Sequence, residues 1–282
     1  MTTTTISSGQ TASSATITSG NTQIVSFGGF AYDTTISSGG YQVVSGIVSG
    51  TTISAGGRQN IGKYNFENGA AGSATDTIIL SGGVQIDSGV ASGTTIHAGG
   101  VQRVGATDFV DTAAGIANDT TILRGGIQKD FGLASGTTIH AGGVQRIGGA
   151  DGDNGAGVAD DTTILRGGTQ IDQGLASGTT VSAGGVQRVG SGGVASSTTL
   201  NGGAEVVAIG GKIAGAVTFT AKAELTVHTS AGASVAFTTS GFKRTDVIDL
   251  ANFAFGPNEK LSFVENKAKT GGVLTIRDGS KH

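Results

Sequence analysis

Residues 91–104 read A-S-G-T-T-I-H-A-G-G-V-Q-R-V, and residues 134–147 repeat them with only the last residue changed, to Ile147. Working outward, the same T-T-I-x-x-G-G-x-Q-x-V unit returns throughout residues 4–215. Its aliphatic step falls at Ile6, Ile17, Ile36, Ile53, Ile79, Ile96, Ile122, Ile139, Ile164, Val181 and Leu200. A Gly-Gly pair follows nearly every step. Two residues after each pair stands Gln42, Gln59, Gln85, Gln102, Gln128, Gln145, Gln170 or Gln187, and finally Glu205. Three columns in such register exclude chance and make self-similarity the first fact about the chain.

After a short first step the spacing is 17–19 residues where plain and 25–26 where an insert is present. That period is too short for a helix-turn-helix repeat and suits one coil of β-strand pieces. Only four or five extended residues, such as Val101-Gln102-Arg103-Val104, separate the glycines, so the strands are short. The glycine pairs are expected to supply positive φ at the corners. One coil cannot bury its apolar stripe, so coils must stack, at about 4.8 Å each. The fold class expected is all-β: a right-handed parallel β-solenoid with a C-terminal β cap, handed as parallel crossovers generally are. About eleven coils give a rod on the order of 50 Å long.

Composition agrees. Glycine contributes 52 of 282 residues, against a usual share of about 7%. Tryptophan and cysteine are absent and proline occurs once, so Ile and Val must fill a narrow interior. Stacking puts the glutamines at one height, where their amides can bond along the axis; Gln42, Gln59, Gln85, Gln102, Gln128, Gln145, Gln170 and Gln187 are therefore read as a structural ladder. The next two positions alternate between Arg-Val or Arg-Ile and Ile-Asp (Ile86-Asp87, Ile171-Asp172), which leaves room for a pleat that differs between coils. With net charge −3 and no basic stripe visible along the sequence, nucleic acid is not an expected partner. No apolar run approaches the roughly 20 residues of a membrane span. Met1 to Ser13 lacks the basic and apolar regions of a classical signal peptide.

Two domains are expected: repeats over 1–215 and degenerate coils with a cap over 216–282. The repeats carry three inserted loops, in Gly62–Asp76, Gly105–Asp119 and Gly148–Asp161. Loops gathered on one side of a solenoid often form a binding face, which makes Tyr64, Phe66, Phe109, Asp111, Asp151, Asp153 and Asn154 the candidate interaction residues. From Phe219 onward phenylalanines and charges gather, and strands are expected at Val247–Leu250, Leu261–Phe263 and Val273–Ile276.

The units at 91–104 and 134–147 resemble the strand-loop-strand repeats of AIDA-type autotransporter passengers, self-associating bacterial adhesins. The resemblance covers about residues 4–215. It implies a β-helical passenger displayed on the cell surface, adhesion or aggregation, and in some members glycosylation of Ser or Thr. The tail T-D-V-I-D-L (245–250) with L-T-I-R-D-G (274–279) is similar instead to C-terminal segments of type I-secreted repeat proteins.

Catalysis needs convergent groups of suitable pKa, and none assemble in the sequence. His97 and His140 occupy equivalent places that Ser54 and Ser182 fill elsewhere, and two coils put them roughly 10 Å apart, too far to share a metal. No enzyme activity and no organic cofactor are expected. Asp151-Gly152-Asp153-Asn154-Gly155 has the oxygen-rich start of a calcium loop without the later bidentate Glu; Asp151 and Asp153 are the metal candidates, with a polar turn as the alternative. Asp76, Asp119 and Asp161 are read as turn caps. Paired T-x-T columns, as an ice-binding array would need, are not sustained. The expected function is an extracellular or cell-surface bacterial adhesin, acting through long solenoid faces on itself or on cell-surface glycans and proteins. Alternatives are a carbohydrate-binding or carbohydrate-modifying solenoid and a passive surface spacer.

Overall fold

The computed structural model describes residues 1–62, 72–105, 115–149, 157–230, 235–253, 260–267 and 272–277. Three parallel sheets share the stacked coils: sheet A with 13 strands, sheet B with 11 and sheet C with 12. None of the described residues is helical. One coil runs through Val84–Asp87 in sheet A, Val90–Ser92 in sheet B and Thr95–Ile96 in sheet C, then turns at Gly99-Gly100 into Val101–Val104 of the next. Register is strict. Gln85 pairs with Gln102 and Gln102 with Gln128, Ala91 with Ala117, and Ile96 with Ile122.

Strand alternation decides what faces inward. In one coil Gln102, Val104, Ala117, Thr120 and Ile122 are all buried. The isoleucines of successive coils form one continuous core from Ile17 to Leu200, each contributing about 1.5–3 kcal/mol on burial. Sheet B contributes little bulk: Ala74, Ala91, Ala117, Ala134, Ala159, Ala176 and Ala195 stack as a buried alanine column.

The pleat does not change between coils. Asp87 registers with Ile61 and Val104, and Ile86 with Asn60 and Arg103. The Ile-Asp coils therefore present isoleucine outward and bury the aspartate, the reverse of what hydrophobicity alone suggests. The glycine pair also needs correction. Only its first member has positive φ (Gly99, +75°), whereas Gly100 is glycine because a Cβ there would lie 2.7 Å from the Ile79 carbonyl oxygen one coil below.

The corner between sheets B and C alternates in residue type. Asp33, Gly50, Asp76, Gly93, Asp119, Gly136, Asp161 and Gly178 all have positive φ, a region that Asp tolerates better than most residues. At Gly93 a Cβ would meet Oδ1 of Asp76 at 2.9 Å. Each aspartate thus occupies the space that the next coil leaves by having glycine.

Parallel stacking continues past residue 215. Ala216–Ala221 and Thr238–Ser240 extend sheet C, and Glu224–His228 and Val247–Ala251 extend sheet A. Phe219 takes over the isoleucine column, registered on Leu200, and its ring meets Phe242 edge-on at 5.3 Å. Lys260–Glu265 and Gly272–Arg277 form a separate antiparallel pair.

Candidate functional site

The glutamines make a buried ladder. Gln42 donates its Nε2 to Oε1 of Gln23 at 2.7 Å, Gln59 to Gln42 at 2.6 Å, and Gln85 to Gln59 at 2.7 Å. The chain continues through Gln102, Gln128, Gln145 and Gln170 at 2.9–3.1 Å. Gln187 instead donates to Asp172 Oδ2, at 2.7 Å. Beside the ladder runs a column that the sequence reading did not single out, the first threonine of each T-T pair. Thr94, Thr120, Thr137, Thr162, Thr179 and Thr198 are buried and donate to glutamine Oε1 atoms at 3.2–3.3 Å. A signal was present: that first threonine is unvaried from Thr34 to Thr198, while the second becomes Ile78 once.

Alternate coils add a buried acid. Oδ2 of Asp87, Asp130 and Asp172 accepts from Gln102, Gln145 and Gln187 at 2.7–2.8 Å, and Oδ1 of each has no partner. Burial raises Asp130 to about 8 and Asp172 to about 7, with the glutamine amide opposing the shift. Asp87 is raised well above the usual range by burial, and the Asp130 charge adds to it. Glu205 is pushed up to about 8 by burial and then by Asp172. Perturbed acids often mark active sites, but these four are 0% exposed. Substrate cannot reach them, so they act as hydrogen-bonding core groups that hold their protons well above the ordinary carboxylate range.

Contact with other molecules falls to the outward positions. On sheet C the second threonines, including Thr52, Thr95, Thr121, Thr138 and Thr163, form a single outward column. His97, Leu123 and His140 follow three successive rungs of the isoleucine column, so Leu123 separates the histidines. Among the described residues no group of three His, Cys, Asp or Glu could hold a metal.

Sheet B presents two outward columns. One holds Ile47, Ser73, Val90, Ile116, Leu133, Val158, Leu175 and Val194 in direct register; the other holds Ser49, Thr75, Ser92, Asn118, Ser135, Asp160, Ser177 and Ser196. Ile47, Leu133 and Leu175 are 45%, 37% and 38% exposed. The first column, aliphatic at every rung except Ser73, is a stripe open to solvent, which soluble monomers rarely maintain over such a length.

Sheet A carries what the linear sequence hid. Arg103 registers with Lys129 and Lys129 with Arg146; Ile171 then intervenes before Arg188. A basic stripe exists, made of residues 17 to 42 apart in the chain, which corrects the reading of a chain without one.

The loop candidates Tyr64, Phe66, Phe109, Asp111, Asp151, Asp153 and Asn154 lie outside the described residues, as does the calcium reading of Asp151 and Asp153. Among the described residues no helix is long and apolar enough to cross a membrane.

Neither a family model nor a curated protein sequence matches the chain. Among solved structures it is similar to the crystal structure of a hyper-glycosylated TibA fragment, whose glycosylation is catalysed by TibC. The two are 33% identical, with a TM-score of 0.69 over 89% of this chain and 93% of that one. With that identity and coverage, and with the T-T-I, Gly-Gly and Gln columns stacked coil upon coil, the chain belongs to the AIDA-type autotransporter passengers.

Proposed function

We propose that this passenger is a non-catalytic bacterial adhesin, displayed outside the cell, that associates with further copies of itself through sheet B. The observation that carries the reading is the exposed column from Ile47 to Val194, aliphatic at every rung but Ser73 and bordered by a column in which six of eight residues carry hydroxyls. The column takes eight of the eleven rungs of sheet B, whose whole face is on the order of 50 Å long. At roughly 15 Å wide, that face offers close to the ~800 Å² per partner of a standard interface. Burying the aliphatic column supplies the driving force, and the adjacent serines supply many weak hydrogen bonds summed along the rod.

Sedimentation velocity over a wide concentration range tests it. The intact chain should form dimers or larger species, and a Leu133→Ser, Leu175→Ser variant should remain monomeric at the same concentrations. A wild-type chain that stays a strict monomer at high concentration overturns the reading and leaves the spacer alternative.

Glycosylation is a second element of the proposal, prompted by the hyper-glycosylated TibA fragment. Thr95, Thr121, Thr138 and Thr163 are outward hydroxyls on four successive rungs of sheet C, clear of the sheet B contact, and are the acceptors expected here. Intact-mass spectrometry of the natively produced chain should show added sugar-sized increments that vanish when these threonines become alanine.

A further inference from the structure

Sheet A separates charge to a degree that self-association does not explain. Between the coils of Thr22 and Val206, its outward positions hold Arg58, Arg103, Lys129, Arg146 and Arg188 and not one carboxylate. Among the described residues the acids of these coils are elsewhere. Asp87, Asp130, Asp172 and Glu205 are buried, Asp160 stands in an outward column of sheet B, and Asp33, Asp76, Asp119 and Asp161 stand at the B–C corner, the one corner that sheet A does not touch. Like charges directly opposite one another on neighbouring strands are destabilising. Arg103, Lys129 and Arg146 nonetheless occupy three successive rungs.

Beside the cations runs a column, Val84, Val101, Ile127, Val144, Thr169 and Val186, aliphatic except at Thr169 and also facing outward. Midway along, Lys129, Phe131, Arg146, Ile171 and Gln173 border a cleft of about 180 Å³. That is below the ~300 Å³ at which pockets begin to enclose whole small molecules. It accommodates one unit of a chain whose neighbours continue along the sheet.

We propose that the outward face of sheet A binds an anionic polysaccharide, its acid groups held by Arg103, Lys129, Arg146 and Arg188 and its sugar rings laid on the aliphatic column. A rung spacing of about 4.8 Å is close to the length of one pyranose unit in an extended chain. Acid groups on successive or alternate sugars therefore stay in step with the cations. Pyranose rings present C–H faces that pack on Val and Ile, while guanidinium groups match carboxylate or sulfate geometry. A nucleic acid fits less well. Its bases need a series of aromatic platforms, and the outward strand positions from Val84 to Val206 carry none, which leaves Phe131 at the cleft as a single one. The proposal is independent of self-association through sheet B.

The test uses the full chain, with polygalacturonate as the probe and with neutral dextran and single-stranded DNA beside it, in titration calorimetry at low and at physiological salt. Polygalacturonate should bind, more weakly as salt rises, while dextran should not. In an Arg103→Ser, Arg146→Ser, Arg188→Ser variant affinity should fall about ten-fold or more. A Lys212→Ser, Lys222→Ser, Lys243→Ser variant, which removes the same charge elsewhere on the surface, should stay within about two-fold of wild type. Equal losses in the two variants would show a mere net-charge effect and overturn the site. So would equal binding of dextran, or tighter binding of DNA. Thermal unfolding of the arginine variant should be unchanged or raised, since its repulsion is relieved, so that a binding loss cannot be ascribed to misfolding.

Discussion

Gln102 donates its amide Nε2 to Oδ2 of Asp87 across 2.7 Å, from one coil to the coil below it, with both side chains fully buried. The contact repeats two coils later between Gln145 and Asp130, and again between Gln187 and Asp172. A carboxyl group is thus kept in a dry interior by a single amide, and several measurable consequences follow from that arrangement.

Stability should fall as pH rises. The folded chain holds a proton on Asp130 up to pH about 8, whereas an unfolded aspartate releases it near its ordinary value of 3.8. Between those values the native state binds more protons than the unfolded state, so the acid's contribution is fully present below the lower value and lost through the upper one. Asp130→Asn removes this dependence, on the order of 1.4 kcal/mol per pH unit for one group. Melting followed by circular dichroism should show the variant gaining on wild type from pH 5 to pH 8. Identical slopes for both proteins would sink the idea.

Gln145→Leu keeps the volume and removes the links. Gln145 donates to Gln128 and Asp130 and accepts from Gln170 and Thr162, so several buried groups lose partners at once. The expected cost is about 2–4 kcal/mol. It should be read by hydrogen exchange as faster opening centred on residues 127–172, because stacked repeats transmit damage mainly to neighbours.

Two threonines in equivalent places should respond differently to the isosteric change to valine. Thr137 donates to Gln128 and receives from Gln145, and Thr137→Val should destabilise by about 1 kcal/mol. Thr51 is equally buried, but its hydroxyl has no partner, so Thr51→Val should be neutral or stabilising. Denaturant melts of the two variants make the comparison, and equal losses would show that the hydroxyl column contributes nothing.

Gly93→Ala combines a strained φ of +68° with a Cβ placed 2.9 Å from the Asp76 carboxylate, and should cost about 1–3 kcal/mol. Asp76→Gly alone should change stability by less than about 1 kcal/mol. In the double variant the steric part of the penalty should disappear and only the backbone part remain. Strict additivity in that cycle would mean the two residues do not compete for space.

Most of the architecture is legible in the sequence because each coil repeats its chemistry at fixed offsets. The Gly-Gly, Gln and isoleucine columns are visible as spacing alone. The inward aspartates were not legible, since Ile86-Asp87 offers a hydrophobic residue and a charged one, and hydrophobicity argues for the wrong one inside. Only the strand register, together with a glutamine amide from the following coil, shows how Asp87 is accommodated. The basic stripe was hidden for a different reason. Arg103, Lys129 and Arg146 are neighbours only after inserts of unequal length have been looped out, and a reading along the chain sees isolated cations. The roles given to Tyr64, Phe109 and Asp151 stand apart, because inserts break the periodicity that made the rest readable.

The alternation of Asp and Gly along the B–C corner, taken with that of Asp and Val in sheet A, gives the rod a parity. Its true unit is two coils, 43 residues from Val84 to Ile127 and 42 from Ile127 to Thr169. Excising residues 101–126 would seat Asp87 directly against Asp130, stacking two buried acids. Excising residues 127–143 would set Asp161 over Asp119, placing a Cβ where only a hydrogen fits. Along this stretch the rod can therefore be lengthened or shortened only in even steps, so copies of different length remain in phase face to face.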